Sequence, residues 1–423
     1  MVSKGDRGPP ILGGRAWKPR GAASGPLIKA CLVIGLMLLS GGATDSRAHG
    51  EGSGADGAAG PPTTVKLGSE AHTFVVSPAS GRAVLEHFNG AGPDHDLIQL
   101  RGFGFTRFAD LQSRISQQGA DARIALSRSA SLLIRNTAAG ALSADDFLLG
   151  QPAADGCLSF DDEFDALSLY DARTGKGRWK TNYWFGSQSG PAEWSSRTVG
   201  AGEQVLFVDP AFQGAAPAPL GLNPFTLKDG VVSLHVARAP DPALPFLHGQ
   251  RYTAGLLSSE PSFAQQYGLF EIRMRTPNSK GLWPTFWLLA SDHSRSEIDI
   301  TEQVGDGRLY ESLHWEESQP RKVSFSTPRP PATADGFHTY ALLWGPESTT
   351  WYVDGVAVAR TATPASLRKP MYLIISMGGG GSWPGPLPND FKSASMDVDY
   401  VRVHRLADGT TDSSGEACLG ADR

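Results

Sequence analysis

From residue 157 onward, apolar and polar positions alternate with a period of two. Val231-Val232-Ser233-Leu234-His235-Val236 follows this rule, as does Phe270-Glu271-Ile272-Arg273-Met274-Arg275. In both, apolar side chains take one face of a strand and polar ones the other. Trp351-Tyr352-Val353-Asp354-Gly355-Val356-Ala357-Val358 reads as a hairpin turning at Asp354-Gly355. Asp397-Val398-Asp399-Tyr400-Val401-Arg402-Val403 reads as a last strand. Many short strands with turn signals between them predict an all-β chain folded as a β-sandwich. The 50 glycines and 30 prolines supply the turns such a chain needs. Upstream, Thr73-Phe74-Val75-Val76, Leu97-Ile98-Gln99-Leu100 and Ser131-Leu132-Leu133-Ile134 predict a separate small β-rich module over 65–150. The same module is expected to hold a helix from Phe108 to Gln118.

The N-terminus follows neither pattern. Arg7, Arg15, Lys18 and Arg20 form a basic leader, an apolar stretch runs from Ala30 to Leu39, and small residues follow. Residues 1–48 therefore read as an export segment cleaved after Ala43 or Ala48. The apolar stretch falls short of the roughly 20 residues needed to cross a bilayer, though a short membrane anchor is the competing reading. Residues 49–64, rich in Gly, Ala, Ser and Pro, read as a flexible linker, and 407–423 as a C-terminal tail. The expected location is secreted, periplasmic or extracellular, with no stable membrane insertion after cleavage. A net charge of −5 gives no reason to expect a nucleic-acid partner. Oligomeric state cannot be read from the pattern. Cys157 and Cys418 remain after cleavage; a disulfide between them and two unpaired thiols both fit, and two cysteines alone make no metal site.

The densest chemistry lies in Ser296-Glu297-Ile298-Asp299-Ile300-Thr301-Glu302. On a regular strand Glu297 and Asp299 share a face and Glu302 points away. One β-bulge would return Glu302 to the shared face, leaving three carboxyls over one groove. A pair of carboxyls flanking a glycosidic bond, one nucleophile and one acid, is what retaining sugar hydrolysis requires. With 43 acids in 423 residues, this Glu/Asp/Glu spacing arises by chance in roughly 0.05 windows. A solvated acidic strand is thus the alternative, and context has to decide. The aromatic-rich run Gly281-Leu282-Trp283-Pro284-Thr285-Phe286-Trp287-Leu288-Leu289 precedes the acids, and Ile298 and Ile300 require a buried opposite face.

Tyr267-Gly268-Leu269-Phe270-Glu271-Ile272-Arg273, then Gly281-Leu282-Trp283-Pro284, then Glu297 to Glu302, resembles glycoside hydrolase family 16 in order and spacing. The resemblance covers about 157–406. It implies a concanavalin-like jelly-roll sandwich, with Glu297 as nucleophile, Glu302 as acid/base and Asp299 between them. The implied activity is a secreted retaining endo-β-glycanase acting on internal β-1,3 or β-1,4 bonds of a glucan or a succinoglycan-like bacterial exopolysaccharide. A transglycosylase on the same polymers and a non-catalytic carbohydrate-binding matrix protein are the rivals. Sugar faces call for aromatic platforms: Trp283 and Trp383 are the favoured candidates, Trp287 is assigned to the core, and Trp184 fits either role. By the same resemblance Glu271 and Arg273 line glycone subsites, against an exposed ion pair, and His314 touches the reacting sugar. Ser376 stands where many β-1,3-glucanases of the family have asparagine. No cofactor is implied for catalysis. Asp399 matches a family position that serves a structural calcium, with a solvated carboxylate as the alternative. Segments at 96–105 and 142–147 resemble the non-repetitive parts of calcium-binding β-roll secretion proteins, without their glycine-aspartate repeats. Export, matrix anchoring and a remnant of a larger fusion are all open roles for 65–150.

Overall fold

The structure, a computed structural model, describes residues 32–34, 62–92, 95–152, 157–200, 202–317, 319–333 and 335–406. Most of the expected export segment and linker, and the C-terminal tail, lie outside them. Among the described residues no helix is long and apolar enough to cross a membrane.

Two sheets form the main body. One has ten strands, and the other has six in the order Leu256–Ser258, Met371–Gly379, Leu282–Ala290, Glu297–Glu302, Arg308–Glu316, Pro320–Pro328. All pairings within the six-stranded sheet are antiparallel. The alternation that predicts strands also predicts what they bury. Phe270, Ile272, Met274, Ile298, Ile300, Phe286 and Leu288 all enter one core between the sheets. The predicted hairpin turns at Asp354-Gly355, and the predicted last strand lies within Ser393–His404.

The N-terminal module winds between two sheets of its own. Thr63–Lys66, Arg82–Glu86 and Ser131–Ile134 pair in parallel in one sheet. His72–Val76, Leu97–Leu100 and Phe147–Leu148 pair in parallel in the other, with Leu32–Ile34 on its outer edge. Up to Leu97–Leu100 consecutive strands alternate between the sheets, like coils of a flattened solenoid, and the two sheets bury Phe74, Leu85, Ile98, Ile124, Leu132 and Phe147 between them. The expected helix is shorter than the sequence suggests. It covers Phe108–Gln112, and Ile115–Gln118 is a strand that turns at Gly119 to pair with Asp121–Ala125. The antiparallel pairing open to this second half outweighs a marginal helix of eleven residues.

The module docks on the ten-stranded sheet. Leu148 packs with Leu269, Ala341, Tyr352 and Ala357 in a shared apolar cluster. Ala357 N–H donates to the Leu149 carbonyl at 3.2 Å and Gln151 N–H to the Gly355 carbonyl at 2.8 Å. Arg360 pairs with Asp145 at 3.1 Å. Leu148→Ala should therefore lower unfolding stability by about 2–4 kcal/mol through the cavity it leaves. Turnover by the folded fraction should not change, since the contact lies on the sheet without the acids; denaturant midpoints alongside initial rates check both.

Candidate active site

The ladder sets the site before any side chain is considered. Glu297 lies opposite His314, Asp299 opposite Ser312, and Glu302 opposite Tyr310. From 299 to 302 the acid strand advances three residues while its neighbour advances two, from 312 to 310, so the register shifts by one. The other neighbour shows the same break, with Thr285 opposite Glu302 and Trp287 opposite Asp299. This is the expected bulge, and it brings all three acids to the face turned away from the core. Ile298 and Ile300 fill the core behind them. The bulge is tied down across the sandwich: the buried Trp351 indole N–H donates to the Asp299 carbonyl at 2.8 Å.

The acids are crowded and buried. Burial pushes both Glu297 and Glu302 well above the ordinary carboxyl range, and the charge of Asp299 raises each further. Asp299 sits within hydrogen-bonding reach of both. Its Oδ2 faces His314 Nε2 at 3.0 Å, and the same nitrogen is 3.8 Å from Glu297 Oε1. Trp283 Nε1 donates to Glu302 Oε1 at 3.0 Å, which favours the ionised glutamate. The positive charge of Lys322 acts in the same direction on both glutamates. Such a set exchanges protons as a unit, suited to one group attacking while another protonates a leaving oxygen. Ligand atoms of Glu297, Asp299 and His314 lie within 4.8 Å of one another, near enough for a cation.

The expected aromatic platforms are near the acids. Trp283 meets Trp383 edge to face at 5.7 Å, and Trp383 meets Tyr310 at 4.9 Å. Trp383 is 40% exposed. Its loop starts from Gly380, at φ 74°, where a Cβ would lie 2.4 Å from Gln204; only glycine fits there. Trp287 belongs to the core as assigned, but its edge also lines the cleft. Trp184 is half-buried and stacks on His293 at 4.5 Å, so that imidazole covers one ring face.

Glu271 and Arg273 lie elsewhere than expected. Their strand belongs to the ten-stranded sheet, and its apolar face points into the core. The polar face therefore looks out on the side opposite the cleft. There Glu271 accepts from Tyr400 at 2.8 Å and from Gln151 of the module segment at 2.7 Å. Arg273 bonds Asp335 and Asp399, each at 2.5 Å. Asp399 consequently does not fit a calcium ligand: a guanidinium already holds its carboxylate, and Asp335 beside it is held by the same group.

Sequence reading missed Glu203. It is 5% exposed and lines the cleft with Tyr183, Thr285, Ser376 and the three acids. Val199 N–H and the Thr198 hydroxyl donate to its Oε2 at 2.9 and 3.0 Å, yet burial outweighs them and pushes its pKa up to about 8. The available signal was an acid directly after the glycines Gly200 and Gly202, just ahead of the apolar run Val205-Leu206-Phe207.

Residues 225–402 match the model of glycosyl hydrolases family 16. Over 337 residues the chain is 33% identical to an endo-1,3-1,4-beta-glycanase, EglC, of Rhizobium meliloti, covering 79% of this chain and 69% of that protein. It is 34% identical over 314 residues to a second endo-1,3-1,4-beta-glycanase of that organism, ExsH, covering 74% of this chain and 65% of the other. Among solved structures, the laminarinase from Rhodothermus marinus is 26% identical with a TM-score of 0.45, covering 59% of this chain and 97% of that one.

Two outcomes follow from the electrostatics. Trp283→Phe keeps a ring but removes the N–H that favours ionised Glu302, so the alkaline limb of the pH–kcat/KM profile should move to higher pH. Glu203 carries a linkage to stability. Unfolded it ionises near 4.5 and folded near 8, so folding takes up a proton between these values. That stability is fully present below 4.5 and falls by about 1.4 kcal/mol per pH unit on the way to 8. Glu203→Gln should therefore match the parent at pH 4 and exceed it at pH 8 in denaturant midpoint.

Proposed function

The chain belongs to glycosyl hydrolases family 16, and we propose that it is an endo-acting β-glycanase that cuts internal bonds of a mixed 1,3-1,4-linked polysaccharide, a bacterial exopolysaccharide above all. One observation carries this reading. A single register break sets Glu297, Asp299 and Glu302 side by side over one cleft, between a bulge-anchoring tryptophan and an aromatic wall. The two R. meliloti relatives named as endo-1,3-1,4-beta-glycanases support the linkage. The Trp287 indole lines the cleft, and its buried Nε1 has no hydrogen-bond partner among the described residues.

In this reading Glu297 attacks the anomeric carbon and a glycosyl-enzyme forms as the glycosidic C–O bond breaks. Glu302 gives its proton to the leaving oxygen, then takes one from the water that releases the sugar. The charge of Asp299 opposes ionisation of both glutamates together, and His314 Nε2 lies 3.0 Å from its Oδ2. No step calls for a cofactor. We further propose action outside the cytoplasm. The basic and apolar leader supports this, as does Cys157, which is disulfide-bonded. Its partner, Cys31 or Cys418, lies outside the described residues, and Cys31 falls within the expected export segment.

The test is release of reducing ends from succinoglycan, mixed-linkage β-glucan and laminarin. Glu297→Gln and Glu302→Gln should each lose at least 10³-fold in kcat while still binding polymer. The first product seen by proton NMR should be the β-anomer. An α-anomer would overturn retention, and equal turnover by parent and Glu297→Gln would overturn the assignment of the acids.

A further inference from the structure

The cleft floor is electrically lopsided. Residues directly opposite in a ladder share a face, so the face that carries the acids can be followed outward strand by strand. His314, Ser312 and Tyr310 come next, opposite Glu297, Asp299 and Glu302. Beyond them His314 faces Lys322, Ser312 faces Ser324, and Tyr310 faces Ser326. Three acids crowd one strand, while at these positions on the next two the floor offers hydroxyls, an imidazole and a lysine. The Ser312 and Ser324 hydroxyls bond to each other at 2.9 Å. Asp306, an acid at this end of the cleft, is engaged by the Tyr310 hydroxyl at 2.5 Å.

Lys322 differs from the paired cations of the molecule. Arg273, Arg275, Arg295, Arg402 and Lys369 each pair with a carboxylate. Lys322 pairs with no carboxylate within ion-pair distance among the described residues, although its charge reaches both Glu297 and Glu302. Its Nζ lies 6.0 Å from the ring centre of Trp383, one of two exposed large apolar side chains among the described residues. An exposed indole offers a sugar ring its apolar face, and a free ammonium beside it offers a charge. A polymer carrying negative charge would be repelled by the acid strand unless a cation met it on this side.

We propose that Lys322 and Trp383 form a subsite for a carboxylate-bearing sugar on the side of the cleft beyond His314, so that the preferred substrate is an acidic exopolysaccharide rather than a neutral glucan. The carboxylate could come from a uronic acid, a pyruvate ketal or a succinyl half-ester; the chemistry the subsite reads is the same. This rests on the endo-glycanase reading and names its substrate class. An ammonium–carboxylate contact partly shielded by an indole contributes roughly tenfold in affinity. It also weakens as salt shortens the range of the attraction.

The test compares succinoglycan with the same polymer after carbodiimide activation and borohydride reduction of its carboxylates. Parent enzyme should have the lower KM on the anionic polymer, and 0.5 M NaCl should narrow the difference. Lys322→Met should raise KM about tenfold more on the anionic polymer than on the reduced one, over and above any change common to both, and Lys322→Arg should retain the preference. The reduced polymer separates the subsite from a general effect on the acids. If Lys322 acts only by favouring ionised Glu297 and Glu302, Lys322→Met changes both polymers alike, with a matching shift of the pH profile, and the subsite is refuted. An unchanged KM on both polymers refutes it equally. Parent enzyme that is folded yet cuts neither polymer overturns the endo-glycanase reading itself, and this inference with it.

Discussion

The site depends on one irregularity in an otherwise regular ladder. A strand with strict alternation would send Glu302 into the core beside Ile298 and Ile300, where an ionisable group costs several kcal/mol. The extra residue between Asp299 and Glu302 turns that liability into a third carboxyl over the cleft. A bulge weakens local pairing, so it needs support from elsewhere. Here the support comes through the core, from the Trp351 indole to the Asp299 carbonyl. The two sheets are thus joined by apolar packing and by a hydrogen bond ending at the residue that sets the register. Packing of the ten-stranded sheet and position of the acids are for that reason one problem.

Once the three carboxyls share a face, their electrostatics follows. Burial dominates for Glu297 and Glu302, and mutual repulsion comes second. The opposing contributions, Lys322 for both and the Trp283 N–H for Glu302, are smaller and pull toward ionisation. A cluster in that balance readily holds one negative charge and resists a second. The proposed mechanism needs one carboxylate beside a protonated carboxyl, and this balance supports it. Glu203 extends the pattern. A neutral carboxyl at the cleft edge adds hydrogen-bonding capacity without adding to the repulsion at neutral pH.

Much of this was legible in the chain because period-two alternation is a local signal. The acid strand, its bulge, the aromatic run ahead of it and the hairpin at Asp354-Gly355 all follow from neighbouring residues. The resemblance, not this signal, misled at Glu271 and Arg273. Alternation says that they share a polar face, but a sandwich has two outward faces, and only pairing between distant strands decides which. Glu203 escaped notice for a related reason: its burial depends on Gly378 and the end of a strand far along the chain. The stretch from Phe108 to Gln118 shows the limit for short elements, since an antiparallel neighbour beyond Gly119 decided its second half.

The misplaced pair also shows how the two faces divide the work. On the six-stranded sheet, the outward carboxyls of the acid strand are left facing one another with no lysine or arginine paired to them among the described residues. On the ten-stranded sheet the outward charges are matched: Arg273 with Asp335 and Asp399, Arg275 with Asp397, Arg402 with Glu163. Such exposed pairs add little stability singly. Their use is to make a polar sheet surface that ends where the module begins. At that border Glu271 accepts from Tyr400 on one side and Gln151 on the other, and the apolar cluster around Leu148 starts. One alternation rule, applied to two sheets, thus yields a reactive face where charge is left unbalanced and a docking face where it is not.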